Sequence, residues 1–196
     1  MPRPLPALFT LALFVAVFPA LTRAQSTEDL TARFEAYGGY YYVRFNVNAN
    51  VQGVPPSQAF NANGGGVQLE YNATDRLGLV GDFAGYAVSN ASNGALAAVA
   101  ATYMFGPRLN FRRRRINPFA QALFGGIFGT HGIGNASNQN RFAMTAGGGI
   151  DFKLSAHLSL RPVQAEYVMT TFPDGLNNRQ NNFRYGAGVV LRLGRR

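Results

Sequence analysis

The chain of 196 residues contains neither cysteine nor tryptophan, carries a formal charge of +9, and is 14% charged and 47% hydrophobic. The missing cysteines exclude disulfides, thiol chemistry and thiolate metal sites. The length fits one domain. Glycine, Phe and Tyr are plentiful and every basic residue except Lys153 is arginine. With no stretch of helical period, the composition reads as all-β.

The chain opens with MPRPLPALFTLALFVAVFPALTRAQ. Arg3 supplies a positive start, Ala7 to Phe18 an apolar core, and Thr22-Arg23-Ala24 a small-residue cleavage site. This is the layout of a secretory signal peptide over 1–24, cut after Ala24. A spanning helix needs about 20 apolar residues, and Pro19 interrupts this run. A short periplasmic segment, 25–33, then precedes a domain over 34–196. An exported domain without disulfides needs a large core or a sheet closed on itself.

Turn signals predict eight strands. The first covers 34–46 (FEAYGGYYYVRFN), followed by a polar stretch, 47–63. The second, 64–72, and the third, 77–88, are joined by ATDR. SNASNG leads to a fourth at 95–106, and PRLNFRRRRI to a fifth at 117–129. A sixth at 140–153 follows THGIGNASNQ; a tight LSA turn opens the seventh, 157–172; and PDGLNNRQ precedes the eighth, 181–193. Residues 73–76 and 154–156 are short turns, whereas 47–63, 89–94, 130–139 and 173–180 are rich in Asn, Ser and Gly. Short periplasmic turns alternating with longer external loops mark an outer-membrane barrel. The connector 107–116 is the exception in length.

Period-two patterning supports the same architecture. In the eighth strand Tyr185, Ala187, Val189, Leu191 and Leu193 oppose Arg184, Gly186, Gly188, Val190, Arg192 and Gly194. Val67, Leu69 and Tyr71 oppose Gln68, Glu70 and Asn72; Leu77, Leu79 and Phe83 oppose Asp82; Phe142, Met144, Ile150 and Phe152 oppose Arg141, Thr145 and Asp151. A soluble sandwich would bury the apolar face, whereas a membrane barrel turns it to lipid and the polar face to the lumen. Strands one, four and five carry aromatics or small residues on both faces and give no orientation. Arg161 and Glu166 have opposite parity, so a bulge is expected near Pro162, which cannot donate to the ladder. Glu70, Asp82, Asp151, Arg161, Arg184 and Arg192 are thereby predicted to share one lumen as a charge network, with Arg192 beside Glu70, Asp82 or Asp151. An eight-stranded lumen is filled by side chains, and interior glycines are expected to make room for the arginines.

EAYGGYYYVR, MFGPR, NPFAQALFGG, the hairpin GGGIDFKLSAHLSLRPVQAEY and the closing YGAGVVLRLG together resemble the small eight-stranded outer-membrane barrels related to the transmembrane domain of outer-membrane protein A. They are equally similar to the porin-family outer-membrane β-barrel domain. The resemblance runs from about Glu35 to Gly194 and departs from the family at its end, where Gly194-Arg195-Arg196 replace a terminal aromatic. It implies an eight-stranded antiparallel up-and-down transmembrane β-barrel in the outer membrane of a Gram-negative-type bacterium. The implied role is structural: envelope anchoring and presentation of surface loops, with the lumen plugged by charged side chains. The implied partners are outer-membrane lipids, lipopolysaccharide and the barrel-assembly machinery. An external ligand would meet the loops 47–63, 89–94, 130–139 and 173–180.

No catalytic residue, cofactor or metal site is assigned. His157 and Ser159 have the spacing of a His–Ser lipid esterase, a remote alternative, but a nucleophile needs positioned partners and no acid can be assigned. His131 has no second His or Cys nearby for a metal. Arg112–Arg115 could bind a polyanion such as nucleic acid; in a barrel it reads as a solvated turn near anionic headgroups, and no nucleic-acid partner is expected. The glycine runs 64–66 and 147–149 lack the strand-turn-helix setting of a phosphate loop. The principal alternatives are a small transport channel and a lipocalin-like ligand-binding barrel, which would turn Val189, Leu191, Ile150 and Phe152 inward and Asp151 and Arg192 outward.

Overall fold

The computed structural model describes residues 31–47, 58–89, 96–131, 139–171 and 179–195. The predicted signal peptide 1–24, most of the segment 25–33 and the central parts of the four polar loops lie outside the described residues.

Eight strands follow in order: β1 (Ala32–Val47), β2 (Gln58–Asn72), β3 (Leu77–Ser89), β4 (Leu96–Asn110), β5 (Ile116–His131), β6 (Gln139–Lys153), β7 (Leu158–Thr170) and β8 (Gln180–Arg195). Each pairs antiparallel with its sequence neighbours, and β1 pairs with β8 to close the barrel, with Phe34 opposite Leu193 and Arg44 opposite Phe183. Closure leaves no edge to protect, so long strands are tolerated without disulfides. Two predicted boundaries shift by more than two residues. β2 begins at Gln58 rather than near 64, and β4 runs on through MFGPRLN to Asn110. The connector that looked too long, 107–116, thus shrinks to 111–115 and becomes a turn like its two counterparts. In the sequence Pro107 and the arginines read as punctuation rather than strand.

The three turns share one end of the barrel with the closing residues of β8, here the turn end. Thr74 Oγ1 accepts the Leu77 N–H at 2.8 Å in the first, and Ser155 Oγ accepts the Leu158 N–H at 3.1 Å in the third. In the middle turn the Arg113 N–H reaches the Ile116 carbonyl at 2.8 Å. Such short side chains satisfy turn amides that the sheet leaves unpaired.

Burial is inverted relative to a soluble barrel. Outward Phe34, Leu69, Leu79, Phe105, Phe124 and Phe152 are 42–58% exposed, while inward Asp82, Arg161 and Arg184 are at most 1% exposed. The facing that the sequence left open is now defined. Tyr37 and Tyr41 of β1, Thr102, Met104 and Arg108 of β4, and Phe119, Gln121, Leu123 and Ile127 of β5 are buried inside. In β7 the register shifts between Arg161 and Gln164 against β8. One extra residue at Pro162 lets both Arg161 and Glu166 point inward, as their parity required.

Candidate functional site

The inward side chains form a layered polar network that runs from the turn end to the level of Arg184, which register sets opposite Val43 and Glu166. Nearest the turns, Glu35 accepts Arg112 Nη1 at 2.8 Å and Asn72 Nδ2 at 3.3 Å. Arg192 Nε lies 4.0 Å from the same carboxylate. Deeper, Glu70 takes Arg108 Nη1 and Asn110 Nδ2, both at 2.7 Å, one on each oxygen. Arg161 grips Asp151 with two nitrogens at 2.6 and 3.0 Å.

Arg184 is the junction of the next layer. Its Nη1 and Nη2 meet the two Asp82 oxygens at 2.9 and 3.1 Å, its Nε meets Glu166 Oε2 at 2.7 Å, and Nη1 also reaches the Tyr86 hydroxyl at 3.0 Å. Three buried glutamines fill the gaps between ion pairs. Gln68 donates to Asp82 at 2.7 Å and accepts from Arg161 at 2.7 Å. Gln121 accepts Arg108 Nε at 2.8 Å and donates to Glu166 at 2.6 Å. Gln164 accepts from Arg161 and donates to Glu166, each at 2.8 Å. Glutamine can do this because its amide carries both donor and acceptor. Glu35, Glu70, Asp82, Asp151 and Glu166 thus face Arg108, Arg112, Arg161, Arg184 and Arg192: five carboxylates against five guanidiniums. Buried charge is tolerated only when paired and hydrogen-bonded, and here nearly every lumen group is. Among the described residues, Tyr37 Oη and Asn117 Oδ1 are the buried side-chain atoms without a partner.

The guanidiniums are also stacked. Arg184 lies 4.5 Å over the Tyr41 ring, Arg161 4.5 Å over Tyr37 and 4.3 Å over Phe119, and Arg108 4.2 Å over Phe119. The expected relation between glycines and arginines is therefore indirect. A Cβ at Gly186 would stand 2.6 Å from Tyr41 Cε1, and one at Gly149 2.8 Å from Phe119 Cζ. Glycines house the aromatic rings, and the rings in turn face the arginines.

Of the six residues predicted from sequence, all six are buried inside, and Asp82 joins Arg184 while Asp151 joins Arg161. The partner expected for Arg192 needs correction. Its carboxylate is Glu35, because register sets Arg192 directly opposite Glu35, away from Glu70, Asp82 and Asp151. Arg112 is not simply a solvated turn residue, since it reaches back into the lumen. Glu35, Arg108, Arg112 and Glu166 were not assigned from sequence. Parity from Met104 through Arg108 would have placed Arg108 had the strand been extended past Gly106.

Toward the loop end the lumen is mixed, with buried Thr170, Gln180 and Asn182 beside apolar side chains. Val43, Phe45, Ala62, Ile127 and Ala143 are buried there, meeting Met104 and Leu123 below. The charges therefore fill only part of the interior. Ser159 is buried inside the wall, whereas His157 is exposed on the turn. The side chain of His131 lies outside the described residues.

No protein-family model matches the chain, and no curated protein does. Solved structures do. Neisserial surface protein A is 12% identical with a TM-score of 0.64, over 83% of this chain and 98% of the other. Ail, the attachment invasion locus protein of Yersinia pestis, is 15% identical with a TM-score of 0.51, covering 84% and 100%. The N-terminal β-barrel domain of Pseudomonas aeruginosa OprF is 13% identical with a TM-score of 0.50, covering 82% and 97%. Closure, strand order and these likenesses agree: the chain has the fold of the small eight-stranded outer-membrane β-barrels.

Proposed function

We propose that the protein is a non-enzymatic integral barrel of the outer membrane, anchored by its outward face and presenting its polar loops outside. The observation that carries this reading is the inverted burial: half-exposed Phe and Leu outside, fully buried ion pairs inside. Lipid-facing apolar residues and a polar interior are what a membrane barrel requires. From Phe183 to Leu193 the outward face of β8 runs about 33 Å along the strand at ~3.3 Å per residue. A tilt of about 40° reduces this to a band about 25 Å tall, the height of a membrane barrel's apolar belt.

Tyrosines mark the loop-end border of that band. Tyr40 hydrogen-bonds Asn63, Tyr167 hydrogen-bonds Asn181, and the Tyr103 hydroxyl lies 3.0 Å from Asn140 Oδ1. An aromatic body with a polar tip suits a membrane–water interface. A lipocalin-like barrel would need Ile150, Phe152 and Leu191 inside, and they are outside. A channel would need an open lumen; the buried ion-pair layers argue against one.

Outer-membrane lipids, lipopolysaccharide and the barrel-assembly machinery are the partners this reading calls for. Fractionation and gel migration test it. The mature protein should partition with outer membranes and migrate differently before and after boiling. Recovery as a soluble periplasmic protein would reject the reading, and a steady ion-conducting state in planar bilayers would reject the closed lumen.

A further inference from the structure

The outward face has a groove of about 280 Å³ at the turn end, walled by Phe34, Leu69, Tyr71, Leu79 and Leu193 around Ala36; Glu35 and Glu70 complete its lining but turn their carboxylates into the lumen, onto Arg112 and Arg108. Register explains it. Phe34 stands between Tyr71 and Leu193 across the sheet, and Ala36 between Leu69 and Leu191. A single methyl therefore sits in a field of large apolar side chains.

The mouth of the groove is basic. Arg33, next to Phe34, is exposed, and its guanidinium lies 5.8 Å over the Tyr71 ring. That contact engages the ring face and uses none of the five N–H donors a guanidinium offers to oxygen. Beside it Gly194 has φ of 71°, a left-handed turn, and a Cβ there would come 3.4 Å from Arg33 Cβ. The last strand thus bends while staying close to Arg33. Arg76 is exposed on the adjoining turn, and Arg113, Arg114 and Arg115 on the next.

We propose that this groove binds one anionic glycerophospholipid of the leaflet at the turn end, with an acyl chain over Ala36 and the phosphate on Arg33. The inference rests on the reading that the outward face lies in lipid and adds a selective site to it. An apolar slot accepts a hydrocarbon chain of any lipid. The arginine at its mouth supplies charge complementarity, worth roughly a fivefold preference for a lipid with net negative charge.

The absence of native tryptophan allows a direct test with the full mature chain folded into phosphatidylcholine vesicles. Leu79→Trp puts one fluorophore on the rim, and Phe124→Trp puts one on β5, on the far side of the barrel. Each is titrated with brominated phosphatidylglycerol or brominated phosphatidylcholine. At Leu79→Trp the brominated phosphatidylglycerol should quench with a roughly fivefold higher relative binding constant. Arg33→Gln, and separately Ala36→Leu, should abolish that preference, while Phe124→Trp responds equally to both lipids throughout. Equal quenching at Leu79→Trp, or a preference that survives Arg33→Gln, overturns the site. Quenching at Phe124→Trp but none at Leu79→Trp would mean another protein surface covers the groove, and also overturns it. No quenching at either position would reject the membrane reading itself.

Discussion

Arg184 on β8 and Asp82 on β3 meet through two hydrogen bonds, at 2.9 and 3.1 Å, although their strands do not pair. Both side chains are almost wholly buried, and the same guanidinium holds Glu166 at 2.7 Å. Removing one member of a buried pair leaves a charge without compensation. Arg184→Met should therefore cost about 3–5 kcal/mol, read as a fall in the urea midpoint of the folded barrel. Adding Asp82→Asn and Glu166→Gln to that variant should recover part of the loss. A single variant as stable as the parent would deny the network its structural role.

The arginine run divides functionally at its first residue. Arg112 donates to Glu35 and Asn72, at 2.8 and 2.6 Å, while Arg113 and Arg114 are exposed. Arg112→Gln should lower stability by about 1.5–3 kcal/mol, the range for hydrogen bonds to charged groups. Arg113→Gln should stay within about 0.5 kcal/mol of the parent. Denaturant titration of both variants, side by side, checks the contrast.

Two glycines on adjacent strands should respond oppositely to a methyl group. A Cβ at Gly64 would stand 1.9 Å from the Gly85 carbonyl oxygen, a backbone atom, whereas a Cβ at Gly85 meets nothing within 4 Å. Gly64→Ala should destabilise by about 1–3 kcal/mol through overpacking. Gly85→Ala should change stability by about 0.5 kcal/mol or less. Thermal unfolding followed by gel migration distinguishes them.

Neighbouring residues of β8 test the two faces. Leu191 is outward and 49% exposed, and Arg192 is inward with its nearest carboxylate oxygen at 4.0 Å. Leu191→Arg should impair insertion, by up to about 2–4 kcal/mol at mid-bilayer and less near the boundary. Arg192→Leu should cost less than the ~3–5 kcal/mol of breaking a buried pair, since Arg112 still holds Glu35 at 2.8 Å. Folding yield into vesicles measures the first and denaturant titration the second. Normal insertion of Leu191→Arg would mean the assigned outward face is wrong.

What could be read in the sequence was whatever alternates. Leu69 against Glu70, Phe83 against Asp82 and Leu191 against Arg192 each differ enough in polarity to fix a face, and the structure has them so. Where both faces carry aromatics the signal fails. Tyr40 points outward and Tyr41 inward, and the residue type does not say which. Farther along β1 the polarity is reversed, with Val43 and Phe45 inward and exposed Arg44 between them, and beside inward Ile127 stands outward Phe128, so the pattern misleads at one place and is silent at the other. Pairing within the lumen was less legible still. Arg192 finds Glu35 through the β1–β8 closure, a relation fixed by register around the whole ring rather than by anything near residue 192.

The polar contacts between non-adjacent strands also have a mechanical consequence. Hydrogen bonds between neighbours fix the perimeter of a tube but not its cross-section, which remains free to flatten under lateral pressure. Arg184–Asp82 and Arg161–Gln68 each join walls three strands apart in a ring of eight, close to a full diameter. They act as struts of set length. A ring with one hairpin more or fewer would hold those walls at another separation, so the same contacts that keep the section round also select the number of strands.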